Sequence, residues 1–359
     1  MLELRNLSKK VGNSIHINDV SLKLEKGSLN VLLGSTLSGK TSLMRLMAGL
    51  DRPTSGEILM DGESVLGTPV QKRNIAMVYQ QFINYPAFTV YENIASPMRV
   101  AGVDNKSIDK KVREAADLMK LTPYLDRGVL NLSGGQQQRT ALARALVKGA
   151  ELVLLDEPLA NLDYKLREEL RVELPRIFAE TGAIFIYATT EPQEALLLGG
   201  ETATLHEGCV TQFGTTIDVY NKPSNLETAQ TFSDPPMNVI PMQKQGSKFV
   251  FSQGQVDSPK DLPGLSDGPY SIGIRPHHLM LSQSNEASLK IEAPVSATEI
   301  AGSETFIHVS QGDLKLVVLT HGVHRVEIGD QIPVYMDPSK FFIFDAHDVL
   351  VSAPGAGVA

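Results

Sequence analysis

Tryptophan is missing from this 359-residue chain, and cysteine occurs once, at Cys209. A single thiol closes no internal disulfide, and the count fits a reducing compartment. No stretch approaches the ~20 consecutive apolar residues that a bilayer-spanning helix needs, so any membrane association is expected to run through a partner. Positive charge is in deficit. Lys and Arg total 33 against 41 Asp and Glu, a net −8, which argues against electrostatic binding to nucleic acid. The opening MLELRNLSKK enters a strand-like pattern with no secretory signal, so a cytoplasmic location is expected. Aromatics are absent before Tyr79. One further absence is local. The apolar strand in FIYATTEPQEA (185–195) ends in Thr189 and Thr190, with no imidazole at a place where α/β folds carry catalytic groups.

What is present describes folded domains. Hydrophobic residues make up 42% and charged residues 21%, an ordinary globular balance, and the length allows two domains. Residues 1–235 alternate apolar strand-like runs, SLNVLLG (28–34), ELVLLDEP (151–158) and AIFIYATT (183–190), with helical patterns such as GKTSLMRLMAGL (39–50). That alternation predicts an α/β domain with a mostly parallel sheet. Residues 87–147 read as mainly helical, an inserted helical subdomain. From 236 to 359 short alternating runs separated by Gly, Pro and Asp predict a small all-β, OB-like barrel domain, with a frayed tail at VSAPGAGVA.

The most specific motif is GSTLSGKT, comprising Gly34, Ser35, Thr36, Leu37, Ser38, Gly39, Lys40 and Thr41 and followed by Ser42. It leaves a predicted strand and opens a predicted helix, the context of a phosphate-binding P-loop. Its glycines let backbone N–H groups turn toward phosphate oxygens, and the helix N-terminus adds the positive end of its dipole. Lys40 is expected on the β- and γ-phosphates of ATP, and Thr41 on Mg²⁺. LVLLDEP places Asp156 at a strand end as a second Mg²⁺ carboxylate, with Glu157 beside it to polarise the attacking water. The plainer readings are a Gly-rich turn without ligand and a strand ending in solvated acids. His321–His324 and His277–His278 read as surface pairs, and Cys209 as structural.

NLSGGQQQR (131–139) then carries a resemblance. Leu132 through Gln136 is similar to the signature of the ATP-binding-cassette ATPases, with Ser133, Gly134, Gly135 and Gln136 opening a helix. The resemblance implies that this helix start presses on the γ-phosphate held by a second ATPase subunit across a head-to-tail dimer. It also implies that Gln80, in VYQQFINYP, touches Mg²⁺ and relays to a membrane partner. Asp163, in LANLD, is implied at the dimer seam. GIRPHHLML (273–281) resembles the regulatory β-barrel of carbohydrate-uptake importers similar to the maltose importer, and the chain's wording resembles ATPases of glycerol-type polyol importers. The family places a histidine at Thr190 and an adenine-stacking aromatic at Val11.

Two departures in the chain's own site beside an intact signature imply a heterodimer, in which this signature completes a competent site on a sister ATPase. His16 is an alternative group near adenine. A symmetric homodimer, a non-hydrolysing regulatory subunit and an ATP-binding-cassette protein unconnected to transport are the other readings. Two transmembrane permease subunits are expected to dock near Gln80–Phe88, with a solute-binding protein acting through them. The subunit would sit at the cytoplasmic face of the inner membrane.

Overall fold

The computed structural model describes residues 1–81, 83–251, 254–257, 265–283 and 287–355. Phe82 of the expected docking stretch, parts of the expected β domain and the last four residues of the tail lie outside them. The chain forms two compact units, Met1–Thr216 and Ile217–Ala359.

In the first unit the order is β1 (Leu2–Val11), β2 (Ser14–Leu24), β3 (Leu29–Leu33), α1 (Lys40–Ala48), β4 (Ser55–Met60), β5 (Glu63–Ser64) and β6 (Ile75–Val78). Three helices follow: α2 (Val90–Val100), α3 (Asn105–Leu118) and α4 (Gly134–Val147). The unit closes with β7 (Leu152–Asp156), α5 (Tyr164–Thr181), β8 (Ile184–Thr189), α6 (Pro192–Leu198), β9 (Glu201–His206) and β10 (Cys209–Thr215). The central sheet runs β10-β9-β3-β8-β7-β6. Its pairings are parallel except for the antiparallel edge β9–β10. Val31–Leu33 of β3, all of β7 and all of β8 are buried, as near-continuous apolar runs require in a sheet covered on both faces. A second, antiparallel sheet β2-β1-β4-β5 shares one apolar core with it, and α1 contributes Leu43, Met44, Leu46 and Met47 to that core. The 3.6-residue spacing of α1 thus serves two sheets at once.

Helix ends follow local chemistry. α2 and α4 each start on a capping box, Thr89 with Glu92 and Ser133 with Gln136, in which side chain and backbone satisfy each other's exposed N–H groups. α1 and α5 stop at Gly49 and Gly182, both at positive φ.

The second unit contains α7 (Thr216–Asn221), α8 (Leu226–Thr231), β11 (Asn238–Gln245), β12 (Lys248–Phe251), β13 (Gly254–Asp257), β14 (Gly268–Ile274), β15 (Leu279–Met280), β16 (Leu289–Ala301), β17 (Glu304–Gln311), β18 (Leu314–His321), β19 (Gln331–Met336), β20 (Phe342–Phe344) and β21 (Leu350–Ser352). Its sheets, β13-β12-β11-β14-β20-β21 and β15-β19-β16-β17-β18, are antiparallel throughout and enclose one apolar core in a barrel-like, OB-type arrangement. Residues 217–235 group with this unit, although their pattern continues that of the first domain. The anchor is Arg275, 2% exposed, whose guanidinium donates to the carbonyls of Tyr220 (2.6 Å) and Phe232 (3.0 Å) and lies 3.6 Å from the Tyr220 ring centroid. Burial lowers its pKa to about 10. Arg275→Met leaves the buried Phe232 carbonyl and the half-buried Tyr220 carbonyl without this donor, and is expected to cost roughly 2–4 kcal/mol, read as a lowered urea midpoint of the full chain.

Candidate nucleotide site

Parallel strands deliver their C-terminal ends to one edge, and the site is built there. The loop between β3 and α1 leaves no room for a side chain at Gly34. A Cβ there would meet the Leu205 carbonyl and Ser38 Oγ at 2.5 Å. Gly39 sits at φ 109°. Lys40, 5% exposed, folds back so that Nζ donates to the carbonyls of Gly34 (2.8 Å) and Ser35 (2.9 Å). Burial lowers its pKa, opposed by the nearby carboxylates of Glu157 and Asp156. Ser38 Oγ is buried without a hydrogen-bond partner, while its carbonyl accepts from Gly208 N–H at 2.9 Å.

Thr41 Oγ1 donates to Asp156 Oδ2 at 2.8 Å across α1 and β7. Burial raises the pKa of Asp156. Glu157 follows at φ 46°, a strained conformation for a non-glycine residue. Its N–H donates to the Ala188 carbonyl of β8 at 3.0 Å, and its Oε2 accepts from Gln80 Nε2 at 2.8 Å. Burial is the main cause of its raised pKa. A hydroxyl and a carboxylate already 2.8 Å apart form the hard-oxygen pair that suits Mg²⁺, and the orphaned Ser38 hydroxyl beside a side-chain-free Gly34 suits a phosphate oxygen. The residues therefore fit a polyphosphate and its cation.

A cleft of about 910 Å³ opens over these groups, wide enough for a nucleotide. Thr36, Leu37, Gly39, Lys40, Thr41 and Ser42 line it, with Gln80 and Glu157 facing them. Its far wall is Ile15 and His16 of β2 together with the β9–β10 turn, including His206 and Cys209. Val11 is not on that wall. It lies at the β1–β2 hairpin tip, 51% exposed and paired with Ser14. Thr190 is exposed one residue beyond β8, whereas Thr189 is buried with its hydroxyl 2.6 Å from Glu194.

Ser133, Gly134, Gly135 and Gln136 open α4 and do not line this cleft, with Ser133 and Gly134 exposed. Asp163 caps α5 by accepting from Leu166 N–H at 3.0 Å. Leu37 was read as part of the phosphate loop, but nothing in the motif announced its exposure or its backbone conformation. Here it is 96% exposed at φ 70°. Ile15 had no motif to mark it.

The fold and this edge of the sheet define a P-loop ATPase, followed in the chain by a β-barrel domain. The family model of the ABC transporter ATPase domain matches residues 17–160, and that of the TOBE domain matches 272–344. The alpha-glucoside transport ATP-binding protein AglK of Rhizobium meliloti is 35% identical over 356 residues, covering 96% of this chain and 98% of that one. The trehalose/maltose import ATP-binding protein MalK of Thermococcus litoralis is 35% identical, over 96% and 97% of the two chains. The sn-glycerol-3-phosphate import ATP-binding protein UgpC of Cupriavidus pinatubonensis is 33% identical, again over 96% and 97%. A bacterial ABC transporter cassette, solved as a dimer, superposes with TM-score 0.56 at 27% identity, over 60% of this chain and 99% of that one. The chain belongs to the ATP-binding subunits of ABC transporters, ATPases coupled to solute transport.

Two outcomes follow from the local chemistry. Leucine at φ 70° stores about 1–2 kcal/mol, and glycine would lose ~0.5–1 kcal/mol to chain entropy, so Leu37→Gly is expected to hold or raise the chemical-denaturation midpoint, and a clear drop contradicts the strain. Asp156 has a folded pKa raised above its unfolded value, so its ionised form costs stability at every pH above that folded pKa. Asp156→Asn is therefore expected to raise the melting temperature of the nucleotide-free chain at pH 7 by about 2–4 °C, while abolishing further stabilisation by Mg-ATP.

Proposed function

We propose that this chain energises an importer of carbohydrates or polyols, with a glycerol-type solute favoured, from the cytoplasmic face of the inner membrane. What carries the reading is similarity along nearly the whole chain to ATP-binding subunits named for α-glucoside, trehalose/maltose and sn-glycerol-3-phosphate transport. Among the described residues no helix is long and apolar enough to cross a membrane, in keeping with a peripheral subunit. The permease subunits are assigned to the face around Gln80–Phe88. There a groove of about 450 Å³ is lined by Tyr85, Pro97, Val100, Ala141 and Arg144, and Ile83, Tyr85 and Val100 are exposed by half or more. A groove that combines apolar side chains with Arg144 and Lys148 suits a short amphipathic helix. The solute-binding protein acts through those permeases.

In the catalytic step Lys40 and the backbone of Gly34–Gly39 hold the phosphates. Thr41 and Asp156, with Gln80, would hold Mg²⁺, which would neutralise charge on the phosphate oxygens. Glu157 orients the attacking water and is itself aimed by the Gln80 hydrogen bond and the Ala188 carbonyl. Its raised pKa suits a base that must take up a proton. Thr190 stands where the family has an imidazole. Its hydroxyl can donate one hydrogen bond but no positive charge, so it stabilises developing charge less well. On the base side Val11 gives no π-stacking, and Ile15 and His16 line the cleft instead.

The weakened site beside a solvent-facing Ser133–Gln136 helix start supports a heterodimer, in which this signature and Asp163 serve a sister ATPase and the chain's own site turns over slowly. The second reading, a nucleotide-binding regulatory subunit without turnover, is favoured by Thr190 and opposed by the retained Glu157. Turnover of the reconstituted transporter separates them from a symmetric machine. Glu157→Gln in this chain is expected to leave most ATPase activity, while the matching change in the partner lowers it by about 10²-fold or more. A complete loss from Glu157→Gln alone overturns the asymmetric reading.

A further inference from the structure

Behind the β8 end lies a chain of charged groups that the catalytic step does not use. Glu194 of α6 is 4% exposed. Its Oε2 accepts from Thr189 Oγ1 (2.6 Å) and Tyr187 OH (3.0 Å), and its Oε1 accepts from Arg171 Nη2 (3.2 Å). Arg171, on α5, also donates to Glu191 Oε2 (2.7 Å) and Glu168 Oε1 (2.6 Å). Glu191 in turn accepts from Arg167 Nη1 (3.3 Å), and its own N–H donates to Thr189 Oγ1 (3.0 Å). Arg167 Nη2 then donates to the Ala160 carbonyl (3.2 Å), in the loop that leaves Glu157 and reaches Asp163. That loop touches the signature helix, since a Cβ on Gly135 would lie 3.2 Å from the Asn161 carbonyl. At the other end, the carbonyls of Ala188 and Thr189 accept from Glu157 N–H (3.0 Å) and Gly34 N–H (3.4 Å).

We propose that this chain, Thr189–Glu194–Arg171–Glu191–Arg167–Ala160, is a positioning relay that ties the chain's own nucleotide cleft to the loop supporting its signature helix. A bare carboxylate at 4% exposure is costly, so Glu194 stays where Arg171, Tyr187 and Thr189 can all reach it. Arg171 is a planar fork among three carboxylates, which sets the angle of α6 against α5. Arg167 is the single described side chain that carries the network to the 158–163 loop. A shift of the β8 end, to which Gly34 and Glu157 are both hydrogen-bonded, therefore moves that loop. The relay makes the signature face sensitive to occupancy of this chain's own cleft even where hydrolysis there is slow. A slow site thereby remains useful as a sensor, and in this respect the relay rests on the proposed function.

Hydrogen exchange of the full-length chain tests it, with and without Mg-ATP. In the wild type Mg-ATP is expected to slow exchange at 34–41 and also at 158–163 and 189–191. In Arg167→Met the slowing at 34–41 persists, while that at 158–163 falls by about threefold or more. Glu191→Gln, on a half-exposed side chain, is expected to act the same way without threatening the fold. Without nucleotide, both variants should speed exchange at 158–163 and at 189–191 together, whereas a merely local structural role would move only one of them. Wild-type behaviour in both variants overturns the relay. Absence of any Mg-ATP protection at 34–41 overturns the reading of the cleft instead, and the nucleotide-free comparison still judges the relay.

Discussion

The Ala188 and Thr189 carbonyls at the end of β8 hold the first turn of the phosphate loop on one side and the backbone of Glu157 on the other. The chain's own nucleotide cleft is arranged around that strand end. Because β3, β7 and β8 run parallel and are almost fully buried, their carboxyl ends emerge at one edge with their spacing set by the sheet rather than by the loops. Lys40, Thr41, Asp156 and Glu157 then meet without any one of them being near another in sequence, apart from the two adjacent pairs.

The electrostatics of that edge are unfavourable to the nucleotide-free protein. Burial disfavours the ionised forms of Lys40, Asp156 and Glu157 alike. Leu37 and Glu157 hold left-handed backbone conformations. A site strained and desolvated in this way is stabilised when anionic phosphate and a divalent cation enter it together, so binding rather than folding completes it. The same logic gives Thr190 its interest. The strand end keeps its backbone role, supported by the Glu194 network, while the side chain at its exposed tip is a hydroxyl.

Much of this was legible in the sequence. Gly34–Thr41, Asp156–Glu157 and Ser133–Gln136 are carried by short-range motifs whose spacing is the chemistry, and the buried strands are apolar runs bounded by turn residues. The regions missed have physical reasons. β19 contains Pro333 and β11 contains Pro241, which weaken a strand pattern, and the long β1–β2 hairpin alternates too imperfectly, through its bulges, to announce a separate sheet. Residues 217–235 look like a continuation of the α/β pattern but are claimed by Arg275, a partnership 43 and 55 residues distant that no local spacing reveals. Val11 was placed by resemblance to the family. The hairpin turns it to the tip and gives the cleft wall to Ile15 and His16. The Glu194–Arg167 network was invisible because its members look like ordinary charges on helix faces.

The central claim is that this chain contributes more through its signature than through its own catalytic centre. Turnover of the intact transporter carrying Ser133→Arg in this chain measures that directly, since a bulky cation at the start of α4 blocks whatever phosphate that helix end faces. The account predicts near-complete loss of ATP turnover with assembly unchanged. Turnover retained at close to the wild-type rate would contradict it.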